Sequence, residues 1–180
     1  MWFRRDLRLG DHPAILAAAS DGTEVVPVFV IDPKFDGAGA PRRALLHDCL
    51  VSLDKSLREA SGTGLVIRRG DPTHVIPMLV EELNAGSVVV SRDYSPYGRT
   101  RDAAVADVLA AGGRSLRGVG SPYAVDPGTV RKGDGNPYAV FTPFSKMWRR
   151  TDWHGPHPWP SDAQWIGAGS AGIESDGLPD

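Results

Sequence analysis

Runs of β-branched and other apolar residues, each only four to seven long, recur along this chain between segments of helical periodicity. Val25-Val26-Pro27-Val28-Phe29-Val30-Ile31 is the clearest, closed by Asp32-Pro33. Leu65-Val66-Ile67-Arg68 and Ser87-Val88-Val89-Val90-Ser91 are two more, and a weaker run lies between Arg114 and Val119. Such runs lack the polar alternation of a half-exposed sheet and match strands covered on both faces. Met1-Trp2-Phe3 reads as a further strand, short of the usual five or so residues.

The intervening segments carry helix signals. Leu46, Leu50, Leu53 and Leu57, flanked by Leu45 and Cys49, form a stripe with Pro41 at its start and Gly62 at its end. Asp11 is placed to cap a helix through Ala14 to Ala19. A third helix is expected from about Arg99 to Ala111, stopped by Gly112-Gly113, and a fourth around Val75 to Leu83, shifted or kinked by Pro77. Strand and helix in alternation predict an α/β fold: a Rossmann-like open parallel sheet of five strands with helices on both faces.

The 180 residues allow one domain and perhaps a tail. Residues 151–180 hold five glycines, four prolines, no basic residue and three isolated tryptophans, and read as a linker. A single cysteine, Cys49, excludes an intrachain disulfide, and no apolar run reaches the length of a membrane span. The N-terminus lacks the apolar core of a secretory signal. Net charge is −2 for the whole chain, but residues 91–150 alone carry +5. That basic middle suits a phosphate or an acidic partner, or a solvated face.

Several site classes find no support. Arg4-Arg5-Asp6-Leu7-Arg8 occupies the place where a dinucleotide fingerprint needs glycines. No P-loop or nucleophile elbow is present, and His154 and His157 have no converging ligands for a metal. In open parallel sheets, ligands bind beyond the carboxyl ends of the strands. Asp32 follows the second strand, Arg92-Asp93 the fourth, and Arg42 stands at a helix N-terminus that favours anions. These residues could grip a planar ligand carrying donors and negative charge, or form an internal ion pair that orders the loops.

Longer stretches resemble one family. Trp2-Phe3-Arg4-Arg5-Asp6-Leu7-Arg8-Leu9 with Asp11-His12-Pro13-Ala14, Pro27 to Pro33, Arg69-Gly70-Asp71-Pro72 and Tyr94 to Asp102 follow the order seen in DNA photolyases and cryptochromes. Tyr138 to Trp148 is similar to the segment that closes that family's N-terminal domain.

The resemblance implies a cytoplasmic flavoprotein of two domains. The N-terminal α/β domain holds a light-harvesting antenna. A C-terminal helical domain holds FAD and the damaged DNA, where cyclobutane pyrimidine dimers are split in light. Residues 1–125 correspond to the antenna domain, 126–150 to its closing segment, and 151–180 to the start of an interdomain linker. Nothing after Trp148 resembles the FAD-binding helices, so this chain alone is expected not to repair DNA. A cryptochrome-type photoreceptor and a free-standing nucleotide-binding protein are the alternatives.

Folate-binding members carry Asn-Glu where this chain has Tyr97-Gly98, so the resemblance favours a deazaflavin antenna over folate. Asp93 would accept from the ring or ribityl donors and Arg42 would pair with the anionic ring oxygen. Asp32 and the backbone around Phe29 would line the other side. Arg4, Arg5, Arg8 and Lys146 are expected to face the C-terminal domain or the DNA backbone.

Overall fold

A computed structural model describes residues 1–21, 24–153 and 155–178; His154, set aside above as a metal ligand, lies outside the described residues. Strand β1 (Trp2–Phe3) runs parallel to β3 (Val28–Ile31), with Trp2 opposite Val28 and Phe3 opposite Phe29. On its other side β3 pairs in parallel with β4 (Val66–Arg69) over its whole length. A separate parallel ladder joins β5 (Ser87–Val90) to β6 (Ser115–Gly118).

The hydrogen-bonded sheets are therefore three strands and two, with β5 lying beside β1, where one sheet of five was expected. The cause is the length of β1. Backbone groups of successive strand residues point to opposite sides, so a strand of two residues has too few of them to sustain a ladder with both neighbours. Its pairing goes to β3.

The run from Val25 to Ile31, expected as one strand, is divided at the buried Pro27, which has no N–H to offer a ladder. Its first part, β2 (Glu24–Val25), turns away and pairs in parallel with β7 (Gln164–Trp165) from the C-terminal stretch.

Alternation along the strands divides the core into two layers. Phe3, Phe29, Ile67 and Val89 face α1 (Pro13–Asp21) and α2 (Ala40–Ser61), which contribute Ile15, Leu50, Leu53 and Leu57. Trp2, Val28, Val30, Val66, Val88 and Val90 face α3 (Pro72–Glu82) and α4 (Pro96–Ala111), which contribute Ile76, Leu79, Val105 and Leu109. Helices cover both faces, as the unbroken apolar strands require.

The helix boundaries follow their signals with some displacement. Helix α2 has Pro41 in its first turn and ends on Gly62 at φ +74°, a left-handed position that suits glycine. Helix α3 starts three residues earlier than its apolar spacing indicates, because Asp71 caps Thr73 and Pro72 suits the first turn, and it continues through Pro77. Asp11 adopts φ +51°, and its carboxylate accepts the N–H of His157 from the tail.

The C-terminal stretch is packed against the sheet, which differs from its reading as a linker. Trp165 is buried and stacks on Trp159 with ring centroids 4.6 Å apart. Ser175 and Asp176 then run along the free side of β4: their side chains accept the N–H groups of Ile67 (3.0 Å) and Arg69 (2.7 Å), and the Asp176 N–H donates to the Ile67 carbonyl. Two further short helices, α5 (Phe141–Trp148) and α6 (Ala168–Ala171), complete the described structure. Among the described residues, no helix is long and apolar enough to cross a membrane, and no cluster of His, Cys, Asp and Glu could hold a metal ion.

Candidate functional site

The carboxyl ends of β1 and β3, the first turns of α2 and the loop leading into α4 enclose a cavity of about 740 Å³. That volume is in the range of roughly 300–1,000 Å³ typical of small-molecule sites. Phe29, Asp32, Arg42 and Asp93, chosen from the sequence, all line it. They come from a strand, a strand end, a helix start and a loop, and only the tertiary fold brings them together.

Asp93 sits just before the N-terminus of α4, with its side chain 7% exposed. It accepts the Ser95 N–H at 2.9 Å, and the guanidiniums of Arg5 and Arg101 lie 3.4 and 3.5 Å away. Burial by itself would raise this carboxyl. The backbone and hydroxyl hydrogen bonds of Ser95 and the charges of Arg101 and Arg5 outweigh it and hold Asp93 below the usual carboxylate value. Asp93 is therefore an ionised, acceptor-only group at neutral pH.

Arg42 is exposed in the first turn of α2, and its guanidinium has no carboxylate partner among the described residues. The capping residue Gly39 offers no side chain to the first N–H groups of the helix. A cation beside an uncapped helix N-terminus is an anion-binding arrangement. Asp32 is engaged on both oxygens: one accepts the Lys34 N–H at 2.9 Å and the other accepts the Tyr97 hydroxyl. Phe29 contributes an apolar wall together with Trp2, Phe35 and Leu45. Leu45, which flanks the core stripe, is 64% exposed and lines the cavity, while its neighbour Leu46 packs against the core.

Sequence reasoning missed Trp2, Lys34, Tyr97 and Arg101. Lys34 lies 4.6 Å above the Tyr97 ring, and Arg101 lies 5.1 Å from the Trp2 ring and 5.4 Å from that of Tyr97. The rule that found Asp32 extends to Lys34 in the same strand-end loop. Tyr97 and Arg101 are one helical turn apart on α4, a spacing that places them on one face.

The basic residues expected to face a second domain or DNA divide into two groups. Arg4 is 6% exposed, paired with Asp102 and donating to the Ser91 carbonyl, and Arg8 is held by Asp6 and by the Asp11 carbonyl at 2.5 Å. Burial pulls the Arg4 guanidinium below its usual value, an effect that Asp102 opposes. Arg4 is committed inside the fold, since a buried guanidinium needs a carboxylate beside it, whereas Arg8 is half-buried and tied down within its own loop. Arg5 and Lys146 remain accessible.

Comparison with known proteins agrees with this architecture. The chain is 37% identical over 151 residues to the deoxyribodipyrimidine photo-lyase of Synechococcus sp. PCC 6301, covering 82% of this chain and 31% of that protein. It is 34% identical over 188 aligned residues to the enzyme of the same name from Halobacterium salinarum, covering 99% of this chain and 39% of that one. The crystal structure of a bacterial class III photolyase from Agrobacterium tumefaciens superposes with a TM-score of 0.82 at 31% identity, over 99% of this chain and 35% of its own. The chain thus spans about a third of the length of the curated relatives it matches. The sequence profile described as DNA photolyase matches residues 1–163, which takes in every strand on which the cavity is built, and the chain belongs to that family.

Proposed function

We propose that residues 1–125 form the antenna-binding domain of a deoxyribodipyrimidine photolyase and that the cavity of about 740 Å³ is the antenna site. The observation that carries the reading is the convergence of Phe29, Asp32, Arg42 and Asp93 on one cavity at the strand ends. Residues 126–150 close this domain and 151–180 lead toward the rest of the protein. The strand order β4-β3-β1-β5-β6 is the five-stranded Rossmann-like sheet in this reading, supported by the position of β5 beside β1.

The residues fit an antenna of the deazaflavin type better than a folate. Arg42, a cation with no internal carboxylate partner, would hold the anionic ring oxygen, and ionised Asp93 would accept from the N–H or hydroxyl donors. Such charge-assisted contacts contribute about 1.5–3 kcal/mol each where they are shielded from water. The apolar walls would cover the ring faces and exclude water. When bound, the antenna supplies absorption of near-ultraviolet and blue light and passes the excitation to FAD. FAD, the damaged DNA and the splitting of cyclobutane pyrimidine dimers belong to the remainder of the protein, which is also the domain's partner. A repair enzyme works where the DNA is, which in a bacterium or archaeon is the cytoplasm.

The test is to express the chain in a host that makes both deazaflavin and reduced folates, and to identify the chromophore it retains. A bound deazaflavin supports the reading, and retention of a folate overturns the choice of antenna.

A further inference from the structure

Gly98 is the third residue of α4 and is buried. Its backbone is ordinary helix, so conformational freedom does not explain a glycine there, and alanine is the better helix former. What glycine provides is room. A Cβ at position 98 would overlap the Asp93 carboxyl carbon and one of its oxygens, and would come within 2.7 Å of the Asp93 Cβ.

Asp93 cannot move aside without loss. Its shift would break the Ser95 N–H bond and separate it from Arg101. Arg101 is itself held at 2.9 Å by Asp102 and confined beside the Trp2 and Tyr97 rings. A side chain at 98 and the Asp93 carboxylate in its present place are therefore alternatives.

We propose that Gly98 is the specificity-determining residue of this cavity: its missing side chain lets Asp93 stand as the site's acceptor and so selects a planar ligand with N–H or O–H donors. The assignment rests on the reading of the cavity as an antenna site. With Arg42 supplying the cation from α2, the selected class is a ring system with donors at one part of its edge and negative charge at another.

The test is a double-mutant cycle in the full chain, using Gly98→Ala, Asp93→Gly and the pair, read by thermal melts and by fluorescence titration with 8-hydroxy-5-deazaflavin. The expected result is that Gly98→Ala lowers Tm and weakens binding about tenfold or more, equal to about 1.4 kcal/mol per decade. In the Asp93→Gly background the same change should raise Tm, as helix propensity alone dictates, and leave affinity where Asp93→Gly put it. A higher Tm and unchanged affinity for Gly98→Ala with Asp93 present would overturn the proposal while leaving the antenna reading intact. Failure of the unaltered chain to bind deazaflavin would overturn the antenna reading and the ligand selection together.

Discussion

The Tyr97 hydroxyl donates to the Asp32 carboxylate, tying the first turn of α4 to the loop that leaves β3 at the edge of the cavity. Burial first, and then this bond and the Asp32 charge, push the Tyr97 phenol up to about 12 from a usual value of 10. Between those values the unfolded chain releases the proton and the folded chain keeps it, so stability falls as pH rises from about 10 to about 12. Spectrophotometric titration should find one of the four tyrosines ionising near 12, and Tyr97→Phe should remove that step and reduce the alkaline loss of stability, leaving the share of Tyr94, which burial and Asp126 also raise.

Arg4 is predicted to act as a structural residue. Removing one member of a buried ion pair costs about 3–5 kcal/mol, and Arg4→Ala should fall at the lower end because Arg101 still reaches Asp102. Arg5, with 60% of its side chain exposed, should cost less than about 1 kcal/mol when changed to alanine. Urea unfolding of the two variants checks the ranking; equal losses would contradict the burial argument.

How far this could be read from the chain depended on how local each signal was. The strands from Val66, Ser87 and Ser115 declare themselves through apolar runs a few residues long, whereas the caps Asp71 and Ser95 lie ahead of the apolar spacing, so both helices begin three residues before the expected Val75 and Arg99. Asp32, Arg42 and Asp93 were legible because strand ends and helix starts are where such folds place ligands. The break at Pro27 was visible in the missing N–H but was outweighed by the apolar run around it. Trp165 carries enough apolar area to dock the tail, yet one large residue among glycines and prolines makes no period to detect. The contact between Gly98 and Asp93 depends on a turn that brings α4 back over its own approach loop, which spacing alone does not reveal.

Asp93→Asn keeps the size of the side chain and removes its charge. The folded carboxyl lies below the ordinary value of 3.8, so its contribution is present above that pH and is lost as pH falls through the lower folded value. The variant should lose about 1.5–3 kcal/mol at neutral pH, the usual worth of a charged hydrogen bond, and show a flatter acid limb. Chemical unfolding at pH 7 and at pH 3 measures both effects.

The docked tail makes a prediction about dynamics. Ile67 and Arg69 donate their N–H groups to Ser175 and Asp176, so the free side of β4 is shielded by a segment with little secondary structure of its own. Ser175→Ala with Asp176→Ala should speed amide hydrogen exchange at Ile67 and Arg69 while leaving Val88 to Val90 unchanged. Trp165→Ala should do the same from a distance by freeing the segment, with increased proteolysis after residue 155.

The central claim is that the cavity at the strand ends binds the antenna through Arg42 and Asp93. The most direct measurement is a fluorescence titration of 8-hydroxy-5-deazaflavin into the unaltered chain, Arg42→Ala and Asp93→Ala. The account predicts saturable binding by the unaltered chain, weakened about tenfold or more in each variant, at about 1.4 kcal/mol per decade. Binding of equal strength in all three proteins would contradict it.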